Sequence, residues 1–227
     1  MPTKTLAINE LIMLLALDDE GGQVSWRVSP YLDYALAGGM LAELAMRGYI
    51  EITQDGDLEL RQVPPTTGSK LLDDVLHVFR RSNHPHTVPG WVAAVSAIED
   101  LDHRQMEELA DKGILERREG RFLLIFPVTR YPALDNTPEK EVVEQIRKAV
   151  LGTGAVDPRL AVLITIARGA HLLKGPLSDE ELEQAEKRLA EIARGNAISR
   201  ATCELIQEAE RALFVASSIP FMGISRV

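Results

Sequence analysis

"LAELAMRGYIEI" runs from Leu41 to Ile52, and "MEELADKGILER" from Met106 to Arg117. The two share Glu43/Glu108, Leu44/Leu109, Ala45/Ala110, Gly48/Gly113 and Glu51/Glu116, and they match in kind at Arg47/Lys112 and Ile50/Leu115. In each copy, apolar residues at helical spacing (Leu41, Leu44, Ala45; Met106, Leu109, Ala110) line one face. A basic residue in the last turn suits the negative end of the helix dipole, and the glycine after it can take the left-handed conformation that closes a helix. Beyond the first glycine, "YIEITQDGDLEL" alternates Ile50, Ile52, Leu58 and Leu60 around Asp55-Gly56, the strongest short-range hairpin signal. Beyond the second, "ILERREGRFLLIF" predicts a hairpin turning near Glu119-Gly120. The chain therefore writes helix, glycine stop and β-hairpin twice, with hairpins expected at about residues 50–60 and 114–126. That is the outline of a winged-helix unit, and equally a common way to pack a hairpin on a helix.

Working outward, a first helix is expected from about Ile8 to Leu17, then the turn "DDEGGQ" and the extended segment "VSWRV". Pro30 opens the helix that ends at Gly48. Inside it, Gly38 and Gly39 each carry a helical cost of ~1 kcal/mol, which points to close approach of another backbone or a ligand. "KLLDDVLHVFRR" is amphipathic through Leu71, Leu72, Val75, Leu76 and Phe79. Thr137-Pro138 and Asp157-Pro158 pair a cap residue with a first-turn proline. The second of these pairs precedes "RLAVLITIARGAHLL", apolar on nearly all faces and so expected at the centre of the core. Ser178 and Glu181 form a capping box for "DEELEQAEKRLAEIAR", and a last helix from about Ile198 to Ser217 ends before Pro220. The fold class expected is mainly α, a single compact helical domain over residues 1–227 with two β-hairpins.

Of the 227 residues, 45% are hydrophobic and 26% charged, which excludes a disordered chain. A net charge of −9 argues against a whole-surface affinity for polyanions. Glu10 interrupts the apolar N-terminal run, and the stretch from Leu160 to Ala167 falls far short of the ~20 residues that span a bilayer. The expectation is a soluble chain that meets membranes only at their surface. The lone Cys203, on an apolar helical phase, can form no intrachain disulfide. No phosphate-binding glycine pattern and no G-x-S-x-G occur. His84 and His86 in "NHPHT" have no third ligand nearby, and His171 sits among apolar residues, so neither a metal nor a cofactor is expected. No enzyme is expected.

Taken in order from residue 10 to about residue 174, "ELIMLLALDDEGG", "GGMLAELAMRGYI", "LLDDVLHVFRR", "LADKGILE", "FLLIFPVTRYPALDN" and "DPRLAVLITIARGAHLL" resemble the Golgi phosphoprotein 3 family. The resemblance implies a largely helical domain with a protruding apolar hairpin. It also implies a cytoplasmic, peripheral membrane protein that binds phosphatidylinositol 4-phosphate and, in eukaryotes, acts as an adaptor for Golgi enzymes. The implied partners are an anionic phospholipid, the membrane surface, client proteins and other copies of the chain. The family's lipid site is a tryptophan plus arginines that grip a phosphate. Trp26 matches the tryptophan and Arg104 a basic position, and Arg27 is the neighbouring cation that could assist them. Ala37, Glu99 and Asp102 stand where the eukaryotic members carry arginines, and acids there would repel a phosphate. Phe122, Leu123, Leu124, Ile125 and Phe126 form the apolar hairpin segment, for a membrane or a protein partner, and Arg130 follows it.

Each of these residues has a plainer reading: Trp26 as core or rim, Arg27 and Arg104 as solvated charges, the hairpin as packed on its own domain. Three functions stay open: a lipid-binding membrane protein or adaptor, a winged-helix-like nucleic-acid binder, and a protein-binding scaffold that has lost its lipid. The second needs a basic recognition helix, and the helix from Asp100 to Lys112 carries Asp102, Glu107, Glu108 and Asp111 against Arg104 and Lys112. No nucleic-acid partner is therefore expected.

Overall fold

The computed structural model describes residues 6–18, 22–25, 28–61, 65–82, 86–122, 125–194 and 200. The expected last helix with Cys203, and His84, lie outside the described residues. The elements run α1 (Ile8–Ala16), α2 (Leu32–Met46), β1 (Ile50–Ile52), β2 (Asp57–Leu60), α3 (Lys70–Arg81), β3 (His86–Thr87), α4 (Val88–Ser96), α5 (Leu101–Asp111), β4 (Arg118–Phe122), β5 (Phe126–Arg130), α6 (Thr137–Leu151), α7 (Pro158–Gly169), α8 (Asp179–Gln184) and α9 (Glu186–Ile192). Short 3-10 turns at Ser29–Tyr31 and Leu172–Lys174 precede α2 and follow α7. The architecture is mainly helical with two small antiparallel sheets, one of order β1-β2-β3 and one of β4-β5.

The caps explain where the helices begin. Ser69 Oγ accepts from Leu72 N at 3.2 Å, and Asp157 accepts from Arg159 N and Leu160 N. Ser178 and Glu181 close the expected capping box. At α6 the cap lies earlier than expected: Thr137 is already helical, and the Asp135 carboxylate accepts from its N–H at 2.9 Å. The helix expected after Ser178 divides at Ala185 into α8 and α9.

One apolar core runs from Leu6 to Leu189. Its hub is α2, whose residues from Ala35 to Leu44 are all buried and which packs against α1, α3, α4, α5 and α7. The apolar α7 is buried over Val162–Ala167 but is one of the hub's neighbours. Small residues let α2 serve this role. A Cβ on Gly39 would lie 2.7 Å from Ile12 Cδ1 and 3.0 Å from Asn9 N, so the glycine admits the α1 backbone. No ligand is needed to explain it.

Both copies of the repeated stretch close in the same way. Gly48 (φ 73°) and Gly113 (φ 76°) are left-handed. Gly48 N donates to Ala45 O and Tyr49 N to Leu44 O, while Gly113 N donates to Ala110 O and Ile114 N to Leu109 O. These are paired Schellman closures. The repeated glutamates are buried and cap other helices. Glu43 accepts from Ile8 N at 3.1 Å at the start of α1, and Glu108 accepts from Leu71 N and Ser69 Oγ, both at 2.8 Å, at the start of α3. The repeat is thus a packing device, a helix whose acid anchors a neighbour and whose glycine releases the chain into a hairpin.

The first hairpin lies where expected, with Ile50 opposite Leu60 and a turn containing left-handed Gly56. The third strand, β3, was not foreseen. The second hairpin departs from expectation. It spans residues 118–130, not 114–126, and Glu119-Gly120 is strand, with Gly120 opposite Val128. The chain turns after Phe122 and returns at Phe126, so the apolar run forms the turn instead of the returning strand. The strands then end where a Leu115–Ala133 bridge and the Glu116 N to Pro132 O bond of 2.9 Å tie the ribbon's base.

Candidate functional site

The loop between α1 and α2 is pinned at its base. Leu17 bridges Val24, Ser25 N donates to Ala16 O at 3.1 Å, and Asp18 N donates to Gln23 O at 2.9 Å. Gly22 sits hard against the chain beyond β5: its carbonyl accepts from Tyr131 N at 2.8 Å, and a Cβ there would lie 2.2 Å from Pro132 N. Val28 N returns to Ser25 O at 3.0 Å. Trp26 and Arg27, between those two residues in sequence, lie outside the described residues.

Arg104, on α5, is half-buried and ion-paired through Nη2 to Asp74 of α3. It lines a cavity of about 580 Å³ whose other cations, Lys70 and Arg117, face the carboxylates of Glu107, Glu108, Asp111 and Glu116. Four acids against three bases make a poor receptacle for a phosphate. Ala37 is fully buried within α2, so no long side chain at that position could reach solvent without repacking. Glu99 is exposed, and Asp102 lies close enough to Asp33 to act on its titration. Desolvation first, and the Asp102 charge second, push the Asp33 carboxyl up to about 6. Solvent still reaches Asp33, which screens the pair. The starts of α2 and α5 therefore meet at an acidic rim, and none of Arg104's hydrogen bonds reaches Ser25 or Val28. Asp102, Glu107 and Asp111 also leave α5 with an acidic outer face, the opposite of what a duplex-reading helix needs.

The hairpin β4–β5 has a different character. Ile125, at its turn, is 75% exposed. Phe122 and Phe126 are backbone partners at the last rung, and Leu123 and Leu124 lie outside the described residues. Within residues 118–130 the chain carries Arg118, Arg121 and Arg130 against Glu119 alone, on a protein whose net charge is −9. Arg118 lies opposite Arg130, a pairing that needed the register to be seen. Its only trace in sequence is arginine on both flanks of an apolar run.

Other singled-out residues have structural roles. His171 meets Tyr31 edge-on at 6.0 Å between ring centres. The second tryptophan, Trp91, stacks on Phe79 and donates from Nε1 to Leu58 O at 3.2 Å, locking α4 to the first sheet.

The sequence profile described as Golgi phosphoprotein 3 (GPP34) matches residues 8–209. The chain is 27% identical over 217 residues to vacuolar protein sorting-associated protein 74 of Eremothecium gossypii, a match covering 81% of this chain and 65% of that protein. It is 27% identical over 162 residues to the protein of the same name from Schizosaccharomyces pombe, covering 62% of this chain and 47% of the relative. The chain thus spans less than two thirds of the length of either relative.

Proposed function

Because the chain belongs to the Golgi phosphoprotein 3 (GPP34) family, we propose that it is a non-catalytic peripheral membrane protein that binds anionic phospholipid headgroups from the cytoplasmic side. An adaptor role toward membrane proteins follows from the same reading. Among the described residues no helix is long and apolar enough to cross a membrane, so attachment at the surface is the mode that fits. The observation that carries the reading is Ile125, three-quarters exposed at the turn of a ribbon that is locally cationic on an acidic protein. An apolar tip with basic flanks suits an interface where the tip enters the acyl boundary and the bases meet anionic headgroups.

The headgroup site is proposed at Trp26 and Arg27, with Arg104 contributing when Asp74 releases it. Buried Ala37 and the acidic rim of Asp33, Glu99 and Asp102 leave that site little means of selecting a phosphoinositide, so affinity should follow surface charge more than headgroup identity. Co-sedimentation with phosphatidylcholine vesicles, alone or containing phosphatidylserine or phosphatidylinositol 4-phosphate, tests the proposal. Both anionic vesicles should bind in a salt-sensitive way. Ile125→Asp forfeits about 1.5–3 kcal/mol of apolar transfer, a loss of ten- to hundred-fold. Trp26→Ala with Arg27→Ala should weaken binding and leave the thermal melt nearly unchanged. Equal sedimentation of wild type and Ile125→Asp would refute insertion of the tip, and no binding to any vesicle would leave the protein-scaffold reading in its place.

A further inference from the structure

The register of the second hairpin builds a ladder with a clear order. Arg118 lies opposite Arg130, Gly120 opposite Val128, and Phe122 opposite Phe126 next to the turn. Positions two apart on a strand share a face, so the arginine rung and the Gly120–Val128 rung belong to one side of the ribbon. Like charges directly opposite each other weaken an antiparallel pair, and folding alone has no use for the arginine rung.

The rung is open to a ligand. Glu116 accepts from Arg118 Nε at 3.0 Å and Nη2 at 2.6 Å, which occupies two of the five guanidinium donors and orients the rest. Arg130 is exposed and has no ion-pair partner among the described residues. The two arginines border a recess of about 190 Å³ with Glu119, Gly120 and Val128. Glu119 is engaged by Arg117 at 3.3 Å. Gly120 keeps the recess free: a Cβ there would find only the Val128 carbonyl oxygen within 4 Å, at 3.7 Å, and would stand in the open space.

Depth decides what the ligand is. Phe122 is four residue steps beyond Arg118, and at ~3.3 Å per step the rung stands roughly 13 Å from the last apolar rung. An apolar element lying in a membrane interface sinks ~5–10 Å into the headgroup and acyl boundary, which leaves the arginine rung beside the lipid phosphates. Guanidinium groups match phosphate oxygens in a forked, charge-assisted geometry.

We propose that Arg118 and Arg130 form a clamp for bilayer phosphates, set at a fixed depth behind the hairpin tip. This rests on the membrane-binding reading above. The test is co-sedimentation of the full chain with phosphatidylcholine vesicles with and without phosphatidylserine. It compares wild type, Arg118→Gln/Arg130→Gln, the charge-matched control Lys148→Gln/Lys187→Gln on exposed helical surfaces, and Ile125→Asp. The rung variant should lose about ten- to thirty-fold in binding to the anionic vesicles, and the lysine control less than about three-fold. Its melt should match wild type, because a like-charge rung has been relieved and only an exposed ion pair lost. A rung variant that binds like the lysine control overturns the clamp, and if Ile125→Asp still abolishes binding the membrane reading stands without it. Absence of wild-type binding to every vesicle overturns both. Saturable binding of inorganic phosphate that competes equally well with vesicles would overturn the assignment to bilayer phosphates.

Discussion

Glu43→Gln tests a buried carboxylate that two arginines and a helix N-terminus share. Glu43 is buried, and its Oε1 accepts from Arg47 Nε at 2.7 Å. Its Oε2 accepts from Ile8 N at 3.1 Å and lies 2.7 Å from Arg159 Nη1. The carboxylate therefore joins α1, α2 and α7 at one point. Removing one member of a buried ion pair costs about 3–5 kcal/mol, because the remaining charge stays in a poor environment. Here Arg47 and Arg159 keep 32% and 29% of their side chains exposed, so solvent relieves part of that loss. A cost of about 2–3 kcal/mol is expected. The matched residue of the second copy supplies the comparison. Glu108 also caps a helix, but its hydrogen bonds among the described residues come from the neutral Ser69 Oγ and Leu71 N. Its change to Gln removes charge assistance and leaves one donor unsatisfied, about 1–1.5 kcal/mol.

Urea unfolding followed by circular dichroism measures both variants, provided the slope m is unchanged so that the midpoint shift reports stability alone. Glu43→Gln should lose about 1 kcal/mol more than Glu108→Gln. Adding Arg159→Gln to Glu43→Gln should recover part of the loss through the coupling between contacting residues. Equal losses in the two copies would refute the argument that the cations set the difference, and so would a Glu43→Gln cost below about 0.5 kcal/mol.

The other expectations are brief. Gly48→Ala and Gly113→Ala should each cost about 1–2 kcal/mol through left-handed strain alone, since a Cβ at either site meets nothing within 4 Å; chemical denaturation should give near-equal values for the pair. Asp33 should titrate near 6 by carbon-detected NMR, and Asp102→Asn should lower that midpoint. The folded chain holds the Asp33 proton more tightly than the unfolded chain, so this group favours folding at low pH and that contribution is lost as pH rises through about 6. Glu181 behaves oppositely. Arg147 first, then the Ser178 N–H, hold it at about 2, so its contribution is present above the ordinary carboxylate range and is lost as pH falls toward 2; Arg147→Gln should return its midpoint to that range.

Much of the fold was written locally. Asp157 and Ser178 mark helix starts because a short side-chain oxygen meets a free N–H within its own turn, and Gly48 and Gly113 mark stops for the reciprocal reason. What was illegible depends on distant partners. β3 exists because two residues pair with Asp57 and Leu58. Glu108 reads as one acid of an acidic helix surface and Glu43 only as its repeat match, until helices far away in sequence place N–H groups on both. The Glu119-Gly120 turn signal lost to a register in which Arg118 through Phe122 all find partners on β5. At the candidate site, the family resemblance implied an apolar hairpin over Phe122–Phe126 while the residues themselves put the turn at Glu119-Gly120; neither the Asp74 partner that occupies Arg104 nor the Asp33–Asp102 proximity was legible, because each joins residues on different helices far apart in sequence.

The repeat that opens the sequence shows why one copy serves the fold and the other a surface. Both glycine closures launch a hairpin, yet the first is covered: Ile50 and Leu58 are buried, β3 takes the free edge of β2, and Trp91 holds Leu58 O. Helices α2, α3 and α4 pack against this sheet, and Ile52 alone of its four apolar strand residues is exposed, at 42%. The second hairpin has no third strand among the described residues and is tied at its base by the Leu115–Ala133 bridge, while Ile125 remains in solvent. Ile125 is spent on no core. A protein that exposes such a tip carries an aggregation hazard, which selection tolerates where the tip has an apolar partner to enter. On the membrane-binding reading proposed above, a bilayer would supply that partner and would also account for the arginines behind the tip, because the same step that buries Ile125 would bring phosphates to Arg118 and Arg130. A protein groove could receive the tip but would need its own anions at the same depth. Vesicle charge is therefore the deciding variable: if binding depends on Ile125 but is indifferent to anionic lipid, the occupant is a protein, and if it depends on both, it is a membrane.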